Sequence, residues 1–157
     1  MSQKILITGG AGFVGRRLVK SMLEKGYEVL VVDNIVELTG GIDPSGGWPL
    51  YNPYDYKNFI FFKQDCREWF IKNSEIKFDK VFHLAAMVGG REIIENNPLI
   101  VAEDLSIDSH FWQWCSKAKP KKVVCFSSSA CYPIELQTYK NHRLFLTNFF
   151  RLHSLNQ

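Results

Sequence analysis

What the 157 residues lack narrows the field first. No Cys-x-x-Cys pair occurs, and none of the four cysteines (Cys66, Cys115, Cys125, Cys131) has a histidine at zinc-ligand spacing. That argues against a metal site and for free thiols in a reducing compartment. No stretch approaches the roughly eighteen apolar residues of a membrane span, and Met1 to Lys4 runs into a strand without an apolar leader core. The expectation is a cytoplasmic protein with no membrane partner. Charge of one sign is scarce too: 19 Lys and Arg against 16 Asp and Glu leave +3, too little and too scattered to argue for nucleic acid. Internal repeats and low-complexity tracts are absent. What remains fits one domain of about 100–200 residues, and 46% hydrophobic residues suffice for a packed core.

Strand-like and helix-like segments alternate. Lys4 to Thr8 reads as a buried strand, Gly12 to Lys25 as a helix closed by Gly26, and Glu28 to Asp33 as a second strand. From Asn34 to Asn58 glycines and prolines interleave with Trp48, Tyr51, Tyr54 and Tyr56, which breaks both periods and predicts a long loop. Asn58 to Lys63, Lys80 to Ala85 and Lys121 to Ser127 are further strands; Cys66 to Asn73 is a short helix and Pro98 opens a longer one to Lys117. The alternation predicts an α/β fold, a doubly wound parallel sheet of Rossmann type, over residues 1–135. Residues 136–157 form an atypical basic and aromatic tail with no acidic residue after Glu135.

The strongest local signal is Thr8-Gly9-Gly10-Ala11-Gly12-Phe13-Val14-Gly15, at the end of the first strand and the start of the first helix. Glycines there allow a tight turn, close approach of backbone N–H groups to a pyrophosphate, and close packing of helix on sheet. Asp33 ends the second strand, followed by Asn34, where a carboxylate can accept hydrogen bonds from the adenosine ribose and repel a 2′-phosphate. The expected cofactor is therefore NAD rather than NADP.

With Asp33, Asp65, the run His83-Leu84-Ala85-Ala86 and Ser127-Ser128-Ser129-Ala130-Cys131-Tyr132-Pro133, the glycine motif resembles the NAD-dependent epimerase/dehydratase family of extended short-chain dehydrogenases, over about residues 4 to 134. The resemblance implies a Rossmann domain followed by a smaller lobe that holds a nucleotide sugar, with transient hydride transfer to bound NAD. Gly9, Gly12 and Gly15 match its phosphate-binding glycines, Asp33 its ribose acid, and Asp65-Cys66 the position beside the adenine. Asp65-Cys66-Arg67-Glu68 also reads as a capping box. Leu84, Ala85 and Ala86 match the cofactor-lining segment after the fourth strand, whereas His83 reads as a core histidine. Val88-Gly89-Gly90 resembles a segment of GDP-fucose synthases and GDP-mannose epimerases. The substrate-binding serine is Ser128 when counted back from Tyr132 and Ser129 when counted from the strand end. Cys131 falls one place closer to Tyr132 than the proton-shuttling cysteine of those enzymes.

The pattern then fails. The family's Y-x-x-x-K pair has no counterpart: no tyrosine has lysine four residues later, and Tyr139, with Arg143 in that place, follows Ser129 too soon. The expectation is that the sugar-holding lobe is missing as well. The simplest expectation is a truncated or frameshifted copy of a longer epimerase, departing from it near Leu136 to Lys140, that binds NAD without catalysing turnover. The competing reading is a stand-alone NAD-sensing module, and a third is a non-functional fragment. In the resembling family dimers form through helices around the catalytic tyrosine; this chain lacks the second of those segments, which leaves a homo-oligomer an open expectation.

Overall fold

The structure is a computed structural model that describes residues 2–87 and 95–127. The chain divides into two units, Met1–Cys125 and Phe126–Gln157, and everything below concerns the first. Five strands, β1 (Lys4–Thr8), β2 (Glu28–Asp33), β3 (Phe59–Lys63), β4 (Lys80–His83) and β5 (Lys122–Cys125), form one sheet in the order β3-β2-β1-β4-β5, and every neighbouring pair is parallel. Helix α1 (Phe13–Glu24) links β1 to β2, α2 (Cys66–Lys72) links β3 to β4, and α3 (Pro98–Ala118) precedes β5. The doubly wound parallel sheet expected from the alternation is what forms. Its strands end slightly earlier than the hydrophobic runs suggest: β4 stops at His83 and β5 at Cys125.

Alternation along the strands sorts side chains to two faces. Ile5, Ile7, Val29 and Val31 point to one face and meet Val19, Met22 and Leu23 of α1 together with Trp48 and Phe59. Leu6, Leu30, Val32 and Val81 point to the other and meet Trp69 and Phe70 of α2 and Ile107, Phe111 and Trp114 of α3. Central β1 and β2 are buried apart from their first residue, as two-sided burial in a parallel sheet requires.

The long connection from β2 to β3 is more ordered than its composition suggests. Three 3-10 turns occur in it, at Glu37–Thr39, Pro44–Gly46 and Pro53–Asp55. Trp48 and Tyr51 exchange backbone hydrogen bonds, Trp48 Nε1 donates to the carbonyl of Ile42 (2.9 Å), and the Tyr51 hydroxyl donates to the carbonyl of Arg16 on α1 (2.8 Å). Trp48 is 5% exposed. The aromatic residues thus finish the α1 face of the core, which one helix alone leaves partly uncovered.

Candidate cofactor site

Thr8 closes β1 and the chain turns through Gly9 to Gly12 into α1. Gly9 has φ +69°, a conformation that favours glycine, and a Cβ added to it would lie 2.6 Å from the backbone nitrogen of Ala85. A Cβ on Gly15 would lie 2.3 Å from the carbonyl oxygen of Gly9, so the helix rests on the turn with no room for a methyl group. Gly12 is the N-cap of α1; no side chain caps the helix, and its first turn holds no acidic residue. The first-turn N–H groups and the positive end of the helix dipole are therefore available to an anion. Phe13 and Val14 are 65% and 53% exposed at this end.

Asp33 stands beside the turn, 9% exposed. Its Oδ2 accepts from the Ala11 N–H (2.9 Å) and its Oδ1 from the Ile35 N–H (2.8 Å). Burial pushes its pKa above the ordinary carboxylate value, against the pull of those two bonds and of the Arg16 charge. Two of the roughly four acceptor positions of a carboxylate are spent on its own backbone, which leaves two for a ligand hydroxyl. Asn34 follows, exposed.

Ala11 is a junction that sequence reasoning missed. Its N–H binds Asp33, and its carbonyl accepts from both the Ile42 N–H and Nη1 of Arg16, which also donates to the carbonyl of Gly40 (3.0 Å). The glycine turn is thereby tied to the segment that follows β2. A sequence signal existed: a basic residue in the opening turn of a helix opposes the dipole unless something accepts its charge.

On the other flank Leu84, Ala85 and Ala86 follow β4, and the backbone of Leu84 and Ala85 abuts Gly9. The Leu84 N–H donates to the Thr8 carbonyl (3.0 Å). Thr8 itself is fully buried, and its hydroxyl lies 2.7 Å from Nδ1 of His83. That places Thr8 as a strut under the turn rather than on its surface. His83 is the core histidine expected: it stacks on Phe111 (3.9 Å between centroids, 4° between planes) and is 5% exposed. Burial pulls its pKa down to about 4, partly countered by Asp108, whose Oδ1 is 3.5 Å from Nε2 without forming an aligned hydrogen bond.

Asp65 is the N-cap of α2, accepting from the Arg67 N–H (2.8 Å), and its carboxylate also holds the Arg67 guanidinium (2.6 Å), which keeps its pKa low. The reciprocal capping box expected does not form: Asp65 caps the N–H of Arg67 rather than that of Glu68, and the Glu68 side chain pairs with Gln64 and Lys72. Cys66 packs into the core with its thiol pushed up to about 12 by burial. Val88, Ser128, Ser129 and Cys131 lie outside the described residues, as does Tyr139. A cavity of about 180 Å³ lies on the outer flank of α1, between Phe13, Arg16, Arg17, Trp48, Leu50 and Tyr51, rather than over the glycine turn.

Thus Gly9, Gly12, Gly15, Ala11, Asp33, Leu84 and Ala85 meet at the carboxyl ends of β1, β2 and β4, where open α/β sheets bind ligands. A tight glycine turn, an uncapped helix start and a buried acid one strand away fit a dinucleotide: pyrophosphate on the helix, ribose at the acid.

Comparison with known proteins agrees. The profile of the NAD dependent epimerase/dehydratase family matches residues 5–147. The chain is 31% identical over 136 residues to a bifunctional UDP-glucose 4-epimerase and UDP-xylose 4-epimerase of Pisum sativum, covering 83% of this chain and 38% of that protein. It is 32% identical over 140 residues to a UDP-N-acetyl-alpha-D-glucosaminuronate decarboxylase of Bacillus cytotoxicus, covering 84% and 38%. Among solved structures, a UDP-glucuronic acid 4-epimerase mutant from Bacillus cereus, in complex with a fluorinated UDP-glucuronic acid and NAD, superposes with a TM-score of 0.66 at 26% identity, over 82% of this chain and 41% of that one. The chain thus spans about two-fifths of the length of these relatives.

Proposed function

The chain belongs to the NAD-dependent epimerase/dehydratase family, and from that premise we propose that it is the cofactor-binding part of a nucleotide-sugar epimerase or dehydratase, binding NAD without completing the reaction by itself. The observation that carries this reading is the junction at Ala11. One residue joins the glycine turn, the acid at the end of β2 and the segment after it, so the pyrophosphate and ribose positions are set relative to each other before any ligand arrives.

In this reading the first-turn N–H groups of α1 hold the pyrophosphate, with Gly12 presenting no side chain at the helix start and Gly9, Gly10 and Gly15 letting the turn pack closely on the sheet and the helix. Asp33, beside Asn34, accepts from the ribose hydroxyls with its two remaining acceptor positions. Asp65, at the start of α2, lies by the adenine, and Leu84, Ala85, Ala86 and Val88 line the path of the dinucleotide toward its nicotinamide. Bound NAD supplies a hydride acceptor for a sugar carbon. Ser128 or Ser129 would hold a sugar hydroxyl, and Cys131 would be a candidate proton carrier. The sequence has no tyrosine with lysine four residues on to move the accompanying proton. A positioned general acid–base is worth about 10²–10⁴ in rate, so binding should far outlast turnover in this chain. The named relatives use UDP-sugars, which makes a UDP-sugar a better candidate substrate class for the complete enzyme than the GDP-sugars suggested by Val88-Gly89-Gly90.

Calorimetric titration of the 157-residue chain with NAD tests the proposal. One equivalent should bind, and Gly15→Ala should abolish binding. Absence of saturable binding at millimolar NAD in a folded sample would overturn it.

A further inference from the structure

Three strand ends lie in a row at one edge of the sheet. Gly9 follows β1, Asp33 closes β2, and β3 is the next strand out, with its last residue, Lys63, the register partner of Asp33. The Gln64 N–H donates to the Asp33 carbonyl (3.0 Å), which puts Asp65 one residue beyond the immediate neighbour of that acid. Adjacent strands are about 4.8 Å apart. A dinucleotide with its pyrophosphate on α1 and its ribose at Asp33 therefore carries its base outward to the start of α2.

The carboxylate waiting there is immobilised by one residue. Asp65 Oδ1 accepts from the Arg67 N–H (2.8 Å) and from Nε of its side chain (3.1 Å). Oδ2 accepts from Nη2 (2.6 Å), with Nε also 3.2 Å away. These bonds occupy about three of the roughly four acceptor positions of a carboxylate and leave one, on Oδ2. Arg67 is braced in turn from α3, where Nη2 lies 3.4 Å from Glu103 Oε2 and Nη1 donates to the Ser106 hydroxyl (3.5 Å). Because the guanidinium is a rigid planar fork, the carboxylate cannot turn without giving up its side-chain bonds.

A fixed acceptor discriminates between purines. The 6-amino group of adenine donates to it, whereas the 6-oxo group of hypoxanthine is itself an acceptor. A carboxylate free to turn could reach the N1–H that a 6-oxo purine carries; one held in the fork cannot follow.

Resting on the dinucleotide reading above, we propose that Arg67 is the positioning residue for base recognition: by fixing the plane of the Asp65 carboxylate it leaves a single acceptor for a 6-amino purine and excludes 6-oxo purines. The test is calorimetric titration of the full chain with NAD and with nicotinamide hypoxanthine dinucleotide, in wild type, Arg67→Met and Arg67→Lys. Wild type should bind NAD roughly tenfold or more tightly than the 6-oxo analogue, because the analogue leaves the acceptor unpaired. Arg67→Met keeps the backbone cap of α2 but frees the carboxylate, and should bring the two dinucleotides within roughly threefold of each other. Arg67→Lys keeps the charge without the fork and should lose discrimination as well. Arg67 is partly exposed, so both variants should fold, which far-ultraviolet circular dichroism checks. An arginine that only supports the fold would weaken both dinucleotides alike, and a wild-type ratio retained in either folded variant would overturn the proposal. Equal binding of the two dinucleotides by wild type would overturn it without any variant. Binding of neither by the folded wild type would instead overturn the cofactor reading, and this proposal with it.

Discussion

The two faces of the sheet are built by different means. On the face covered by α2 and α3, aromatic rings do the packing: Trp69, Phe70, Phe78, Phe111 and Trp114 contact one another, with ring centroids 5.3–6.3 Å apart, and His83 stacks among them. On the face covered by α1, Trp48 and Phe59 are the buried rings, Tyr27, Tyr51, Tyr56, Phe61 and Phe82 pack partly buried around them, and polar contacts through Ala11, Ile42 and Trp48 tie an irregular segment to the helix. Burial dominates the first face and hydrogen-bond geometry the second. Stability and ligand binding should therefore respond to different mutations.

The largest expected effect breaks the aromatic face. Trp114 is 2% exposed and donates from Nε1 to the Asn73 carbonyl (3.0 Å), so Trp114→Ala should cost about 3–5 kcal/mol in urea unfolding. NAD affinity of the fraction that remains folded should stay close to wild type. On the opposite face Gly15→Ala should invert the pattern. Its methyl group must displace backbone 2.3 Å away, costing about 1–3 kcal/mol by overpacking, while calorimetry should detect no NAD binding at all.

A third measurement sharpens the comparison through pH. Burial holds His83 neutral, with a pKa of about 4 in the folded chain against an ordinary value of 6.5. Between those values the unfolded chain binds a proton that the folded chain refuses, so stability should fall as pH drops from 6.5 toward 4 and level off below. His83→Phe should flatten that slope in urea titrations at several pH values. The smallest effect belongs to Asp65, whose carboxylate is kept ionised by Arg67 and whose stabilising contribution is lost as pH falls through its lowered pKa. Asn keeps the N-cap, and the ion pair is partly solvent-screened, so Asp65→Asn should cost no more than about 1 kcal/mol at neutral pH.

The same contrast explains what the sequence disclosed. Strands β1 and β2, the glycine turn and the acid after β2 announce themselves through period, residue type and spacing. So does the role of His83, a histidine inside an apolar strand. Ala11 and the Trp48–Tyr51 bridge leave no such trace, because they act through main-chain carbonyls and N–H groups that every residue carries, and Arg16 leaves only that of a basic residue in a helix's opening turn. The capping box that does not form at Asp65 shows the converse. The pattern Asp-Cys-Arg-Glu is present, yet Glu68 finds nearer partners in Gln64 and Lys72.

The order of the strands also has a consequence in time. Strand β1 is central: one side pairs with β2, starting from Lys4 opposite Glu28, but the other must wait for β4, where Ile5 meets Lys80 and Thr8 meets His83. At about 5–20 residues per second, synthesis of the roughly fifty residues between β2 and the end of β4 takes about 3–10 s. For that interval the emerging chain carries a strand destined for the core with one edge unpaired, the state in which strand edges recruit other chains. The seconds before His83 leaves the ribosome are then the period of greatest exposure to aggregation, and a chaperone that binds extended apolar segments would find its target in residues 4–8.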